Sequence, residues 1–434
     1  MNFLRKRVIF RLEEQRGNYT TNETLPQQYL LLPRTYVRRG AMTRRTVFVG
    51  DIHIGSGAET NWYQKSVHEP LLRCFLRYLK DNANNIDELV ILGDWFDLWN
   101  YHPFCAPPTV GLIMEQNHGI FKRQADGGDF ISLLDDVKVR FINGDHDMEV
   151  ELRDINEALS SQTDAKILPG HGSDTEKPAL ANTYYFKDAV WAEHGHQHDL
   201  FNKPALNEEN PMSPLPLGYF VARIYCHFLQ KKIASLHRMD AACVSGCGNT
   251  NYESFGIKLP ELVSQLMQQA RNDEKFNPAK IILDMMLQYN RNNLLEFKVS
   301  GKSLAEVRTD GVARFYPNLI TGENFYEALC EAEVVYDGLG HFVREHFLQN
   351  PECKVAVMGH THCPSFNLCG NGKSRVYANP GYFCPSQPDI LARRALPGFV
   401  EVESMPDGSC KVFQKAVAGS LAEEIVEVAS FRVF

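Results

Sequence analysis

The sequence has no CxxC pair, no low-complexity tract, no solenoid-type internal repeat and no apolar run near the roughly 20 residues that cross a bilayer. Its eleven cysteines, scattered from Cys74 to Cys410, are odd in number and irregular in spacing. That pattern argues for reduced thiols in a cytosol over a disulfide framework. The N-terminal stretch MNFLRKRVIFRLEE lacks the continuous apolar segment of a secretory signal. Positive charge is also short: 45 Lys and Arg against 53 Asp and Glu leave a formal net charge of -8. This speaks against a general nucleic-acid binder, as does the lack of an interleaved basic and aromatic groove. A soluble, cytoplasmic protein with no membrane span is expected.

What is present is an ordinary globular composition, 44% apolar and 23% charged, over 434 residues, enough to bury a large core. Residues 1–43, rich in arginine and broken by Pro26 and Pro33, read as a basic N-terminal extension. From Thr46 short apolar runs alternate with helical segments. TVFVG, ELVILG, VKVRFING, AVWAEHG and KVAVMGH read as buried strands, with SRVYANPG and GFVEVE as further ones. PLLRCFLRYLKD, with Leu72, Phe75, Leu76 and Leu79 on one face, reads as a helix starting at Pro70. Residues 205–349 differ: after Pro211, Pro214 and Pro216 the pattern is helical, and Met285 and Met286 read as core filling. The predicted organisation is an α/β core over 44–204 plus 350–415, a helical insertion over 205–349, and a C-terminal segment over 416–434.

Five of the apolar runs end on acids and imidazoles. VFVG is followed by Asp51-Ile52-His53, and LVILG by Asp94-Trp95-Phe96-Asp97. VRFING leads to Asp145-His146-Asp147, VWAE to His194-Gly195-His196-Gln197-His198, and VAVMG to His360-Thr361-His362. Seven of the fifteen histidines fall in these windows, so the pattern is concentrated. In open α/β sheets ligands collect beyond the carboxyl ends of the strands, and five such ends would converge on one place. Imidazole and carboxylate without thiolate suit Mn, Fe, Zn or Ni better than Mg or Ca. Asp51 and His53 are two residues apart, as are His360 and His362, so in extended backbone each pair points to one side. The groups outnumber what one tetrahedral ion needs, which predicts two divalent ions about 3.5–4 Å apart. A strand-end cap explains any single window as well; it does not explain five in succession.

GDIH, GDWFD, GDHD, HGH and GHTH, in this order, with an Asn379-Pro380-Gly381 turn, resemble the calcineurin-like metallophosphoesterase superfamily over residues 44–204 and 350–415. The resemblance implies an α/β fold, a metallophosphoesterase β-sandwich flanked by helices, here carrying a large helical insertion as a cap. It implies that Asp51, His53 and His362 bind one metal, that Asp94 bridges both, and that Asp145, His194 and His360 bind the second. His146 would then be the general acid, oriented by Asp97. A metal-bridging hydroxide would attack a phosphoester, with manganese as the first expectation for the metal and iron, zinc or nickel as alternatives. His196 and His198 stand either behind the ligands, against substrate, or simply in the turn. His102, Trp95, Phe96, Trp99 and Tyr101 read as packing of the strand–helix junction.

Two departures bear on substrate. The superfamily usually has Asn where this chain has Asp145, and the added charge predicts tighter hold on the second metal and weaker attraction for a phosphate dianion. Leu98 stands where protein Ser/Thr phosphatases carry Arg. GDWFDLW is closer to the branch containing UDP-2,3-diacylglucosamine pyrophosphatases, although that branch has Arg at the position of His146. The expected substrate is a small or nucleotide-type phosphodiester or pyrophosphate. A catalytically silent binding or scaffold protein on the same fold, or a superfamily nuclease, are the alternatives.

Overall fold

The computed structural model describes residues 45–434 except 102–105, 171–183, 200–201, 204–215, 217, 220–221, 223–225, 227–297, 300–301, 304–337, 371–373, 384–396 and 419–423. The expected N-terminal extension, nearly all of the expected helical insertion (Met285 and Met286 included) and His102 therefore lie outside the described residues.

One sheet is built from β1 (Arg45–Val49), β2 (Ile86–Leu92), β3 (Lys138–Ile142), β4 (Leu168–Pro169), β12 (Gly398–Ser404), β13 (Cys410–Ala418) and β14 (Glu424–Val433). Its order is β14-β13-β12-β1-β2-β3-β4. The second contains β5 (Tyr184–Lys187), β6 (Val190–Glu193), β9 (Val355–Met358), β10 (Ser365–Cys369) and β11 (Arg375–Asn379), in the order β10-β11-β9-β6-β5. A separate two-residue pair joins β7 (Lys298–Val299) and β8 (Lys302–Ser303). The strands β1, β2 and β3 run parallel, as do β6 and β9.

Period-two alternation along the strands sorts side chains between layers. Phe48, Val90, Leu92 and Ile142 of the first sheet meet Val190, Ala192, Val355, Val357, Val376 and Ala378 of the second in one buried cluster. This is the interior of a β-sandwich. The alternate residues Val47, Val49, Leu89, Ile91, Val139 and Phe141 point the other way, into a layer of helices. That layer contains α1 (Lys65–Asp81), α2 (Val110–Gln116), α3 (His118–Phe121), α4 (Phe130–Leu134) and α5 (Leu152–Leu159). On the opposite side Trp191, Ala356 and Met358 pack against Val343 and Phe347 of α6 (Gly340–Gln349).

Leu72, Phe75, Leu76 and Leu79 of α1 are all buried in the helix-side core, each worth about 1.5–3 kcal/mol by area removed from water. The helix begins at Lys65, five residues earlier than Pro70 suggested. Its first turn is closed by His68, whose N–H donates to Gln64 O (2.8 Å) and whose Nδ1 accepts from Gln64 N (2.7 Å). One missing N–H at Pro70 does not undo a helix anchored on both sides of it. Side-chain caps start two others: Thr109 Oγ1 accepts from Leu112 N (3.3 Å) at α2, and Asp129 Oδ1 from Ser132 N (2.7 Å) at α4.

Candidate metal centre

The carboxyl ends of β1, β2, β3, β6 and β9 lie side by side, and the backbone there is knitted across strands. His53 N donates to Asp94 O (2.8 Å), Gly359 N to His194 O (2.9 Å) and Phe383 N to Asp51 O (3.1 Å). Asp51, His53, Asp94, His360 and His362 all have left-handed backbone, with φ between 48° and 68°. Such conformations cost non-glycine residues on the order of 1–3 kcal/mol and persist where surrounding contacts over-determine them. Here they turn each side chain sharply off its strand end. Gly144 is required by close approach, since a Cβ there would lie 2.1 Å from Asp94 Oδ1. The same holds at Gly359, where it would lie 2.6 Å from Asp51 Oδ2.

Asp51, His53, Asp94 and His362, all buried, each present a ligand atom within 4.8 Å of the others. His362 Nε2 is 3.3 Å from Asp51 Oδ1. A second group joins Asp145, His194 and His196 within the same limit. Asp145 Oδ1 lies 2.9 Å from His194 Nε2 and 3.2 Å from His360 Nδ1. Asp94 belongs to both sides, because its Oδ2 is 3.4 Å from His53 Nε2 and 3.4 Å from His194 Nε2. The structure thus brings Asp51, His53, Asp94, Asp145, His194 and His362 together, with His360 joined to them through Asp145.

The electrostatics suit cations. Burial, with the imidazoles of His146 and His362, holds His53 well below the usual histidine range, so it keeps a lone pair. Burial opposes ionisation of Asp145, but His360 and His194 outweigh it and hold the carboxyl well below its ordinary value. For His194 burial is likewise overcome, by Asp94 and Asp145, and its pKa stands well above normal. His360 is raised to about 10 by Asp145 against the same desolvation. Protons on these imidazoles compensate the buried carboxylates, and divalent ions would replace them in that role. The buried Nδ1 atoms of His53 and His362 have no hydrogen-bond partner, while their Nε2 atoms turn toward the carboxylates. The donor set fits two divalent cations.

His146 and Asp97 sit at the edge of this cluster. His146 Nδ1 is 3.1 Å from Asp97 Oδ1, and its backbone N–H donates to Asp94 Oδ1 (2.9 Å). Asp97 is held in turn by Trp99 N and Asn100 N (both 3.0 Å to Oδ1) and by Asn100 Nδ2 (2.7 Å to Oδ2). Burial lowers the pKa of His146, yet Asp94 and Asp97 raise it on balance to about 9. Two indoles adjoin its ring: Trp99 stacks on it at 4.5 Å and 23°, and half-buried Trp62 lies at 4.9 Å, tilted by 43°. Trp99 thus does more than pack the junction, the role its sequence position suggests. Trp95 and Phe96 do pack the helix-side core, and Tyr101 Oη accepts from Ser56 N (2.9 Å).

The two acids flanking His146 in FINGDHD do different work. Asp145 faces the imidazoles, whereas Asp147 braces the loop, accepting from Gly144 N (2.7 Å), Trp95 N (2.8 Å) and Phe96 N (3.3 Å). Two participants carry little or no signal in the sequence. Asp199 Oδ2 lies 3.0 Å from His360 Nε2, and its only sequence signal is proximity to the HGHQH window. Trp62, also 4.7 Å from His53, belongs to no motif at all. His198 turns away from the centre and stacks on Phe342 at 4.6 Å.

No protein-family model matches the chain. Over 126 residues it is 29% identical to a UDP-2,3-diacylglucosamine hydrolase from Photobacterium profundum, a match covering 29% of this chain and 40% of that relative. The chain thus spans well under two thirds of the relative's length. Among solved structures, a dimetal phosphatase from Danio rerio aligns with 90% of this chain and 98% of its own at 13% identity and a TM-score of 0.34. A single mutant of Vps29 from Entamoeba histolytica aligns with 23% of this chain and 49% of its own, at 17% identity and a TM-score of 0.16. Superpositions that loose carry no functional weight. The sandwich, the five strand-end motifs and the paired ligand groups resemble those of the calcineurin-like metallophosphoesterases.

Proposed function

We propose that the protein is a dinuclear metal-dependent phosphoester hydrolase acting on a small or nucleotide-type phosphodiester or pyrophosphate. The observation that carries this is the single Asp94 oxygen, 3.4 Å from an imidazole of each ligand group. Asp51, His53 and His362 hold one ion with Asp94, and Asp145, His194 and His360 hold the other. When bound, two such cations supply a hydroxide at neutral pH and neutralise the phosphoryl oxygens. The chain's own contribution is proton delivery. His146, fixed through Nδ1 by Asp97, presents Nε2 to the leaving oxygen as general acid. The stacked indole of Trp99 and the adjacent one of Trp62 shield it from water and hold its plane.

The name of the partial relative, a UDP-2,3-diacylglucosamine hydrolase, supports a UDP-linked compound among the candidate substrates. The resemblance of GDWFDLW to the pyrophosphatase branch supports a pyrophosphate, while His146 in place of that branch's Arg points to a different leaving group. Manganese comes first for the metals, on the imidazole and carboxylate donor set, ahead of iron, zinc and nickel. Among the described residues Cys74, Cys353, Cys369 and Cys410 are free thiols, which supports a reducing, cytoplasmic setting. Among the described residues no helix is long and apolar enough to cross a membrane. Residues 205–349 serve as the cap in this reading. Tyr219, buried, lies edge-on to Trp99 at 5.8 Å, and Cys226 Sγ is 3.9 Å from Asn100 Oδ1, beside the group that fixes His146. The deciding experiment is hydrolysis of bis-(p-nitrophenyl) phosphate by EDTA-stripped protein with and without added manganese. Manganese-restored turnover is expected; metal-independent turnover, or none with any of the four metals, removes the proposal.

A further inference from the structure

Beyond the seven ligands stands an eighth side chain. We propose that His196 is an additional ligand of the second metal site, held in the binding tautomer by Gln197; this rests on the dinuclear reading above. His196 is 2% exposed and offers a nitrogen within 4.8 Å of ligand atoms of Asp145 and His194. Its ring centre lies 5.3 Å from that of His194 and 6.3 Å from that of His360. Its Nδ1 is buried with no hydrogen-bond partner. A buried polar atom left without a partner costs about 1–3 kcal/mol, which a cation at that nitrogen would recover.

The backbone explains how two imidazoles from one short window reach one centre. Gly195 has φ +113°, and a Cβ there would lie 2.7 Å from Leu339 Cδ1. The glycine turn lets His194 and His196 converge where an extended strand would simply have carried both past the site. The tautomer is set from the other side of the ring. His196 Nε2 is 3.1 Å from the amide nitrogen Nε2 of Gln197. Turning that amide by 180° exchanges its nitrogen and oxygen; the oxygen then accepts from Nε2–H and Nδ1 keeps its lone pair for a metal, the arrangement by which outer hydrogen bonds orient ligating histidines. Asp199 does the same for His360 through Nε2 at 3.0 Å.

The consequence is asymmetry. Asp94, Asp145, His194, His196 and His360 would surround the second ion, five groups against the four of a tetrahedral zinc site. The first ion has Asp51, His53, Asp94 and His362. Manganese should therefore bind in two steps, the tighter at the second site. The test is equilibrium dialysis of the EDTA-stripped full-length protein against manganese, with bound metal counted by mass spectrometry. His196→Ala is expected to weaken the tighter step by about 10–100-fold and leave the other unchanged. Its metal-free melting temperature should match that of the unaltered chain. Gln197→Ala, at a half-exposed position, is expected to weaken the same step by a smaller factor and decides the matter if His196→Ala does not fold. Two ions held with unchanged isotherms in the folded variants overturn the role of His196 alone. No ion bound by the unaltered chain overturns that role and the dinuclear reading together.

Discussion

At the scale of single residues, the proposed reaction assigns charge and proton transfer to different groups. His146 is held by a carboxylate on Nδ1, with the Trp99 indole stacked on its ring and the Trp62 indole beside it. A general acid matters in proportion to the basicity of the leaving group. His146→Ala should therefore lower kcat by about 10²–10⁴ for an alkyl phosphodiester and far less for a p-nitrophenyl ester. Equal losses on both substrates would assign His146 to binding instead. Asp145 carries the other residue-level prediction, because its charge lies 2.9 Å from His194 and 3.2 Å from His360. Asp145→Asn should weaken one manganese step about 10-fold or more and shift turnover from diesters toward monoester dianions. Calorimetric titration and a paired substrate assay read both effects, and unchanged values for both would remove the charge argument.

At the scale of elements, α1 shows what burial alone does. Phe75 is 1% exposed and packs its ring on Phe399 at 4.9 Å and Phe383 at 5.6 Å. Phe75→Ala should cost about 3–5 kcal/mol, read as a lowered urea midpoint with the slope unchanged. That face is legible in the sequence, because Leu72, Phe75, Leu76 and Leu79 repeat at helical spacing. So are the strands and their acid- and imidazole-bearing ends, where short continuous apolar runs lead straight into paired acids and imidazoles. The helix start is not, since Pro70 looks like a boundary and the closing contacts come from Gln64 and His68, a pair with no hydrophobic signature. Trp62 and Asp199 are illegible for a different reason. Their partners, His146 and His360, are distant in sequence, and contact across a folded sandwich leaves no trace in local spacing. Asp97 can be placed in a motif, yet its triple hold by Trp99 and Asn100 emerges only from the loop's turn.

At the scale of the whole molecule, the candidate metal centre lies at the strand ends of the sandwich, and a charged pin occupies strand positions further back. Glu88, near the start of β2, has its side chain 1% exposed and links both sheets. Its Oε1 accepts from Tyr185 Oη (2.8 Å) and Lys187 Nζ (2.9 Å) on β5, and its Oε2 from Arg140 Nε (2.7 Å) on β3. Burial alone would raise its pKa, but the bonds from Lys187, Arg140 and Tyr185 lower it to about 2. A carboxyl depressed from its ordinary 4.5 to about 2 stabilises the fold fully above pH 4.5 and loses that contribution as pH falls toward 2. The gap corresponds to about 3 kcal/mol. Glu88→Gln keeps the shape but not the charge, and it leaves Lys187 and Arg140 without their shared anion. Its deficit against the unaltered protein should be greatest near neutrality and should shrink steadily below pH 4.5, vanishing near pH 2. Urea midpoints of the two proteins across that range measure the difference directly, so other carboxylates that titrate in both cancel. A deficit that stayed constant with pH would mean that Glu88 holds the sheets by packing, with its ionisation immaterial.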